Sequence, residues 1–337
     1  MKAMLLKKPS PVGSRPLNLD EVDDPEPGPG QLRIKVHVCG VCHTDLHTVE
    51  GELGELSLPV VPGHQVVGTV DATGGRVKGV KVGDRVGVAW LYRTCGACDF
   101  CARGDENLCP DARFTGYHVN GGYAEFLTVD HEFAYRLPRG ISDENMAPLL
   151  CGGIIGYRAL RLSEVRPGGR LGLYGFGASA HIAMQIATHW KCRVYAFSRG
   201  ESRRVLAADL GAVWTGRPDE PPPEKLDAGV VFAPAGHIVP QALEHLDRGG
   251  TLSLAGIYMT EIPPLDYERH LYYERTLRSV TAATRRDGRE LVKLAAKVPI
   301  QTTVQAYPLH EANRALDDLK EGRVNGAAVL NVADDPA

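Results

Sequence analysis

The sequence carries almost no excess of charge: 38 Lys+Arg stand against 41 Asp+Glu, a net charge of −3 over 337 residues. With no basic surplus and no arginine-rich tail to neutralise phosphates, the composition argues against an electrostatic nucleic-acid binder, and no nucleic-acid partner is expected. Long hydrophobic runs are missing too. The most apolar stretches are interrupted by Gly, Arg or His within a few residues, so no membrane span or membrane partner is expected. The apolar run in Met1-Lys2-Ala3-Met4-Leu5-Leu6 is too short for a signal-peptide core, and a cytoplasmic location follows as the expectation. No internal repeat or low-complexity tail is present. Neither is the strongly acidic, apolar-poor composition of a disordered chain. Eight Cys are few for a disulfide scaffold of this length.

What is present is 43% hydrophobic residues with 38 Gly and 23 Pro, enough apolar content for about two domains. The first 150 or so residues show short alternating runs bounded by Gly or Pro, such as Gln31 to Val38 and Gln65 to Val70. This is the signature of half-buried strands and of a β-rich domain, barrel or open sheet. From about residue 152 the pattern changes to strands alternating with helices. Arg170 to Tyr174 reads as a strand, and Ile182, Ile186 and Trp190 follow at helical spacing. Arg193 to Phe197 is a second strand, Ser202 to Leu210 a helix, and Ala228 to Phe232 and Thr251 to Ala255 are further strands. Such alternation predicts βαβ units and a parallel sheet.

Between the first strand and helix of that region lies Gly175-Phe176-Gly177-Ala178-Ser179-Ala180, a match to G-x-G-x-x-G/A. Gly175 permits a tight turn, Gly177 lets the backbone approach a pyrophosphate, and Ala180 is small enough for close packing. The helix N-terminus then offers free N–H groups to the phosphates. A Gly-rich turn with no ligand is the plain alternative; the strand before and the helix after favour a nucleotide site. The second strand ends in Phe197-Ser198-Arg199-Gly200, where an NAD-preferring site places an acid on the ribose 2′-hydroxyl. Ser198 and Arg199 suit a 2′-phosphate instead, which favours NADP(H) over NAD(H). A solvated start of the next helix is the alternative reading of these residues.

Cysteine placement matters more than number. Cys95, Cys98, Cys101 and Cys109 follow C-x2-C-x2-C-x7-C, four thiolates within one loop and no open position, which favours structural zinc over paired disulfides or an iron–sulfur cluster. Cys42, His64 and Cys151 are dispersed, and spacing alone does not bring them together. Each has a plain reading as a buried thiol or a hydrogen-bonded core imidazole.

The motif Gly40 to His47, the Gly63-His64 pair, the four-cysteine loop, Cys151 and the glycine loop recur in one order. That order resembles the zinc-containing medium-chain alcohol dehydrogenases, most closely their shorter microbial branch. The resemblance runs through nearly the whole chain, to Leu319-Lys320-Glu321-Gly322-Arg323. It implies an α/β protein in which a GroES-like β-rich catalytic domain, residues 1–152 and 288–337, is split around a Rossmann doubly wound parallel-sheet domain, residues 153–287. It further implies two zinc ions per subunit and a homo-oligomer, tetramer rather than dimer.

By the same resemblance Cys42, His64 and Cys151 hold a catalytic zinc with one open position. Thr44 bonds the substrate oxygen, and His47 is the outer member of a relay that passes the proton through the cofactor ribose to solvent. Asp45 orients His64, and His43 contacts the cofactor pyrophosphate. Val49, Leu53 and Trp90 line the substrate pocket, with ordinary core packing as their plain alternative. The implied reaction is reversible oxidation of a primary, or secondary, alcohol to the carbonyl by hydride transfer to NAD(P). Rival readings are an NADP-dependent cinnamyl-type aldehyde reductase and, from another class, a catalytically silent nucleotide-binding protein. Two positions depart from the family pattern. Gln65 follows the zinc histidine where Glu is usual, and Ala327 stands where relatives often place an Arg on the pyrophosphate. Cys39 and Cys192 are left over and read as packing.

Overall fold

The alternating run that starts at Gln31 forms strand β1, Gln31–Val41, which buries Leu32, Ile34, Val36 and Cys39. In this computed structural model, which describes residues 1–54 and 56–333, β1 is the central strand of a seven-stranded sheet. It pairs antiparallel with β2, Gln65–Thr73, and also with the strands Phe126–Asp130 and Ala327–Asn331. Arg85–Val88 and Ala134–Arg136 extend the sheet past β2, and Val304–Pro308 lies parallel to Ala327–Asn331 at the opposite edge. Helix α1, His43–Glu50, leaves directly from the end of β1.

Contacts divide the chain into two units, Met1–Cys151 with Ala282–Ala337, and Gly152–Thr281. The first unit's core is aliphatic, with Ile34, Val66, Val70, Val86, Leu127 and Leu330 each at most 1% exposed. Full burial of one such side chain is worth roughly 1.5–3 kcal/mol. In this way the sheet rigidly supports the loops at its ends.

The second unit is a six-stranded, wholly parallel sheet. Its spatial order is Trp214–Gly216, Arg193–Phe197, Arg170–Tyr174, Leu226–Val231, Leu246–Leu254, Thr276–Ser279. This is the third-second-first-fourth-fifth-sixth order of a dinucleotide-binding doubly wound fold. Parallel strands covered on both faces need continuous apolar runs. Tyr174 and Phe197 satisfy this, both fully buried, with rings stacked at 4.2 Å. Helix α2, Ala178–His189, follows the first of these strands. Among the described residues no helix is long and apolar enough to cross a membrane.

Candidate functional site

Three segments of the first unit bring Cys42, His64 and Cys151 together. Cys42 caps the N-terminus of α1, where its Sγ accepts the Thr44 N–H at 3.4 Å. His64 immediately precedes β2, and Cys151 follows the short turn Ala147–Leu150. Cys42 Sγ lies 3.5 Å from His64 Nε2 and 3.9 Å from Cys151 Sγ, and the three donor atoms all fall within 4.8 Å of one another. Asp45, 2% exposed, makes two bonds at once. One oxygen accepts the Cys42 N–H at 2.9 Å, completing a capping box, and the other faces His64 Nδ1 at 2.9 Å. The carboxylate thereby fixes the His64 tautomer and leaves Nε2 directed at the thiols.

The electrostatics of the cluster ask for a cation. The Cys151 contact and burial push the Cys42 thiol well above its ordinary value. Burial opposes a charge on His64, yet Asp45 and Cys42 outweigh it and raise the imidazole to about 10. Two thiols and an imidazole at this separation form a borderline-soft donor set with a position to spare, which fits zinc in an open site.

The second cysteine cluster is local. Cys95, Cys98, Cys101 and Cys109 also lie within 4.8 Å of one another, with Cys109 Sγ 3.5 Å and Cys101 Sγ 3.9 Å from Cys95 Sγ. Backbone N–H groups of Ala97 and Cys98 donate to Cys95 Sγ, and that of Cys95 donates to Cys109 Sγ. Bonds from Ala97 and Cys98 lower the Cys95 thiol to about 6, whereas burial pushes Cys109 up to about 11. Four thiolate donors with no position to spare fit a closed structural zinc site. Glu106 within this loop, 6% exposed, pairs with Arg285 at 2.6 Å.

Around the open cluster, Trp90 packs edge-on to His64 with ring centroids 4.9 Å apart, and stacks on Phe114 at 5.0 Å. Tyr117 lies 5.9 Å from Trp90 and donates to the Leu53 carbonyl at 2.9 Å. Trp90 and Leu53 are half-buried. Val49 is placed otherwise than expected. It is 0% exposed within the aliphatic core and offers a substrate no surface; its position on the inner face of α1 puts it there. Thr44 is buried, His43 is exposed, and His47 is bonded through Nδ1 to Glu52 at 2.5 Å. Sequence reasoning missed Glu52, Phe114 and Tyr117. Only Gly51, a helix-ending residue, signalled that the chain after α1 turns back.

Gln65 begins β2 opposite Gly40 and is 3% exposed, with its Nε2 lacking a partner among the described residues. Ala327 is 8% exposed at the start of its strand. Cys39 and Cys192 are buried, in keeping with packing.

In the second unit Gly175 has φ +89°, and a Cβ there would meet the Ala233 backbone nitrogen at 2.8 Å, so only glycine makes the turn. At Gly177, by contrast, a Cβ would meet nothing within 4 Å. The open space lies at the N-terminus of α2, which no side chain caps, and the first backbone N–H groups of a helix suit an anion. Ala180 is fully buried. At the end of the next strand Ser198 is buried and Arg199 exposed. Arg204 donates to the carbonyls of both, at 2.8 and 2.9 Å, and so shapes that turn.

Comparisons with known proteins agree with this geometry. A family model for the alcohol dehydrogenase GroES-like domain matches residues 28–139, and one for zinc-binding dehydrogenase matches residues 178–297. The chain is 50% identical over 335 residues to a probable alcohol dehydrogenase, AdhA, of Mycobacterium tuberculosis (strain CDC 1551 / Oshkosh), covering 98% of this chain and 97% of that protein. It is 35% identical to an alcohol dehydrogenase of Geobacillus stearothermophilus, over 94% of this chain and 97% of that one. Among solved structures, a cinnamyl alcohol dehydrogenase from Sorghum bicolor, SbCAD4, superposes with TM-score 0.89 at 27% identity, over 99% and 98% of the two chains. A cobalt- and zinc-bound thermostable alcohol dehydrogenase from Pyrobaculum aerophilum gives TM-score 0.89 at 26% identity, over 98% and 99%.

The chain belongs to the zinc-containing medium-chain dehydrogenase/reductase family, with a GroES-like part and a Rossmann-type part. Within that family it is a zinc-dependent alcohol dehydrogenase, an oxidoreductase that uses a nicotinamide cofactor.

Proposed function

We propose that the chain interconverts primary alcohols, longer or aromatic ones above all, and their aldehydes, with NADP(H) in preference to NAD(H) and two zinc ions per subunit. The observation that carries this reading is the Cys42, His64, Cys151 set within 4.8 Å, with Asp45 on the far nitrogen of His64. Zinc held by Cys42, His64 and Cys151 would supply Lewis acidity toward the substrate oxygen, and a bound nicotinamide would supply the hydride acceptor or donor. Cys42 and Cys151 bring negative charge to the site, and Asp45 keeps His64 in the ligating tautomer. Thr44 bonds the substrate hydroxyl, and His47 carries its proton outward. The exposed His43 is assigned to a cofactor phosphate. Trp90, with Phe114 and Tyr117 beside it, forms an aromatic wall suited to an aromatic or extended substrate; Leu53 stands next to it.

In the nucleotide-binding unit, Gly175, Gly177 and Ala180 shape the pyrophosphate turn, and Ser198 and Arg199 receive the 2′-phosphate. Gln65 leaves activity intact, because the three ligands and Asp45 remain. Exposure of Ile257, Tyr258, Tyr267 and Tyr272, each above half of full exposure, supports a homo-oligomer, for which a tetramer is proposed, and the cytoplasm is its proposed location.

The test is a cofactor-resolved substrate panel on protein of known metal content. Two zinc per chain are expected, with a higher kcat/KM for NADPH than for NADH. Arg199→Glu should lower the NADPH value about 10- to 100-fold, the loss of one charge-assisted contact, and leave NADH nearly unchanged. A strong NADH preference in the parent protein would sink the cofactor assignment, and one zinc per chain would sink the metal assignment.

A further inference from the structure

Helix α1 ends in a closed turn. The Gly51 N–H bonds the Thr48 carbonyl at 3.2 Å and the Glu52 N–H bonds the His47 carbonyl at 2.9 Å, the paired closure of a Schellman motif. Gly51 has φ +78° and a Cβ there would meet Pro9 at 2.9 Å, so the turn is specific to glycine. In this motif the residue after the glycine regularly touches the residue three before the helix end, usually through apolar side chains. Here those two residues are Glu52 and His47, and the contact is a 2.5 Å bond from Nδ1 to the carboxylate.

Two further charges act on that pair, Glu50 on His47 and Lys320 on Glu52, and they are bonded to each other. The nearby Glu50 is engaged by Lys320 at 2.7 Å and by the Val12 N–H at 2.9 Å. The His43 ring lies 6.4 Å from that of His47. Exposure rises outward along the pair, with side chains 18% exposed at His47 and 55% at Glu52.

We propose that Glu52 is a positioning residue of the proton path: its carboxylate holds His47 as the Nδ1–H tautomer and then carries the proton to water. This rests on the reading of His47 as a relay. In alcohol oxidation the lone pair of His47 Nε2 takes the proton leaving the alcohol. The Nδ1 proton moves to the Glu52 carboxylate, which leaves a neutral imidazole protonated at Nε2, and the protonated Glu52 releases its proton to water. Exchange with water, one proton taken up at Nδ1 and one given up at Nε2, then restores the Nδ1–H form for the next turnover. Reduction of the carbonyl runs the same transfers in reverse. Nothing is oxidised or reduced at either side chain.

The test uses the full-length, zinc-loaded protein with 15N-labelled histidine, as parent, His47→Gln, Glu52→Gln, Glu52→Leu and Glu52→Asp. Nitrogen shifts report the tautomer, with the His47 signals identified by their loss in His47→Gln, and an indicator dye follows proton release during alcohol oxidation. Glu52→Gln keeps an acceptor oxygen but cannot carry a proton. It should retain the Nδ1–H tautomer while proton release slows about 3- to 10-fold at unchanged KM. Glu52→Leu should lose the tautomer as well, and Glu52→Asp should recover most of the rate. Parent-like proton release in Glu52→Gln, or an unchanged tautomer in Glu52→Leu, overturns the proposal. Parent-like turnover in His47→Gln would instead overturn the relay reading, and with it the proton route through Glu52.

Discussion

The two cysteine clusters use the same element and assemble it by opposite means. Cys95, Cys98, Cys101 and Cys109 sit on one loop whose own backbone N–H groups bond the sulfurs, and three of the four thiols are at least partly exposed. That site is complete within its own segment. Cys42, His64 and Cys151 come from three places in the first unit, and their donors approach only because β1, β2 and the turn before Cys151 are each fixed by packing. Charge is also handled differently. Local N–H donors ease the Cys95 thiol toward ionisation although burial pushes Cys109 of the same loop up, while the Cys42 thiol is pushed up by Cys151 and by burial. A closed set of four anionic ligands over-neutralises its ion and fixes structure, whereas a set of two thiolates and a neutral imidazole adds less negative charge and leaves one position open to substrate.

Replacing one ligand in each cluster sets the comparison at its sharpest. Cys42→Ser should lower kcat/KM by at least about 10³-fold, roughly 4 kcal/mol, because Lewis acidity is lost, and leave thermal stability almost unchanged. Cys95→Ser should do the reverse. A loss of about 3 kcal/mol in the stability of the first unit is expected, with most of the activity per folded molecule retained. Activity assays, calorimetry and metal analysis on the same samples decide between these outcomes. Equal losses of activity in both variants would erase the distinction between a working and a scaffolding metal.

Asp45→Asn probes the dispersed site alone. An asparagine can accept from the Cys42 N–H or from His64 Nδ1–H, but its amide would then set a donor against a donor. Zinc affinity at the Cys42 site, or activity, should fall about 10- to 100-fold, while the four-cysteine loop keeps its metal. Competition with a chromogenic chelator resolves the two ions. Simultaneous release would show that the clusters are coupled.

The contrast between the clusters also governs what the sequence could disclose. The four-cysteine loop is legible because its ligands are neighbours in the chain. Cys42, His64 and Cys151 are legible only through family resemblance, since their meeting depends on tertiary packing. The same division runs through the fold. Strands Arg170–Tyr174 and Arg193–Phe197 match expectation residue for residue, because short apolar runs between turn residues define parallel core strands locally. β1 runs on to Val41, beyond the expected Val38, because Ala327–Asn331 pairs with its end from far along the chain. The strand Leu246–Leu254 starts before the expected Thr251. Asp247-Arg248-Gly249-Gly250 interrupts it: the ladder pairs Leu226 with Leu246 and resumes with Ala228 opposite Thr251, so these four residues bulge out of register, with Gly249 at φ 72°. Trp190 fits the helical period but falls just past the end of α2, where Lys191 takes φ 63°. Val49 looked like pocket wall by resemblance and lies in the core, a distinction that requires knowing which face of α1 is covered.

Gln65 offers the gentlest test of how closely the dispersed site depends on its surroundings. It follows the ligand His64 directly and is 3% exposed, and its amide nitrogen has no partner among the described residues. An unsatisfied buried donor carries a desolvation cost that an apolar side chain of similar length avoids. Gln65→Met keeps an unbranched chain against Gly40, where a Cβ would already meet the Gln65 Cδ at 2.8 Å. Methionine's flexibility should accommodate that tight approach. Stability is therefore expected to rise, by no more than about 1 kcal/mol, with zinc retained at both clusters, as read by chemical denaturation and metal analysis. If Gln65→Met instead loses the zinc held by Cys42, His64 and Cys151 but keeps that of the loop, the amide belongs to the support of the reactive metal. The dispersed cluster would then reach one residue further into the sheet than its ligands and Asp45.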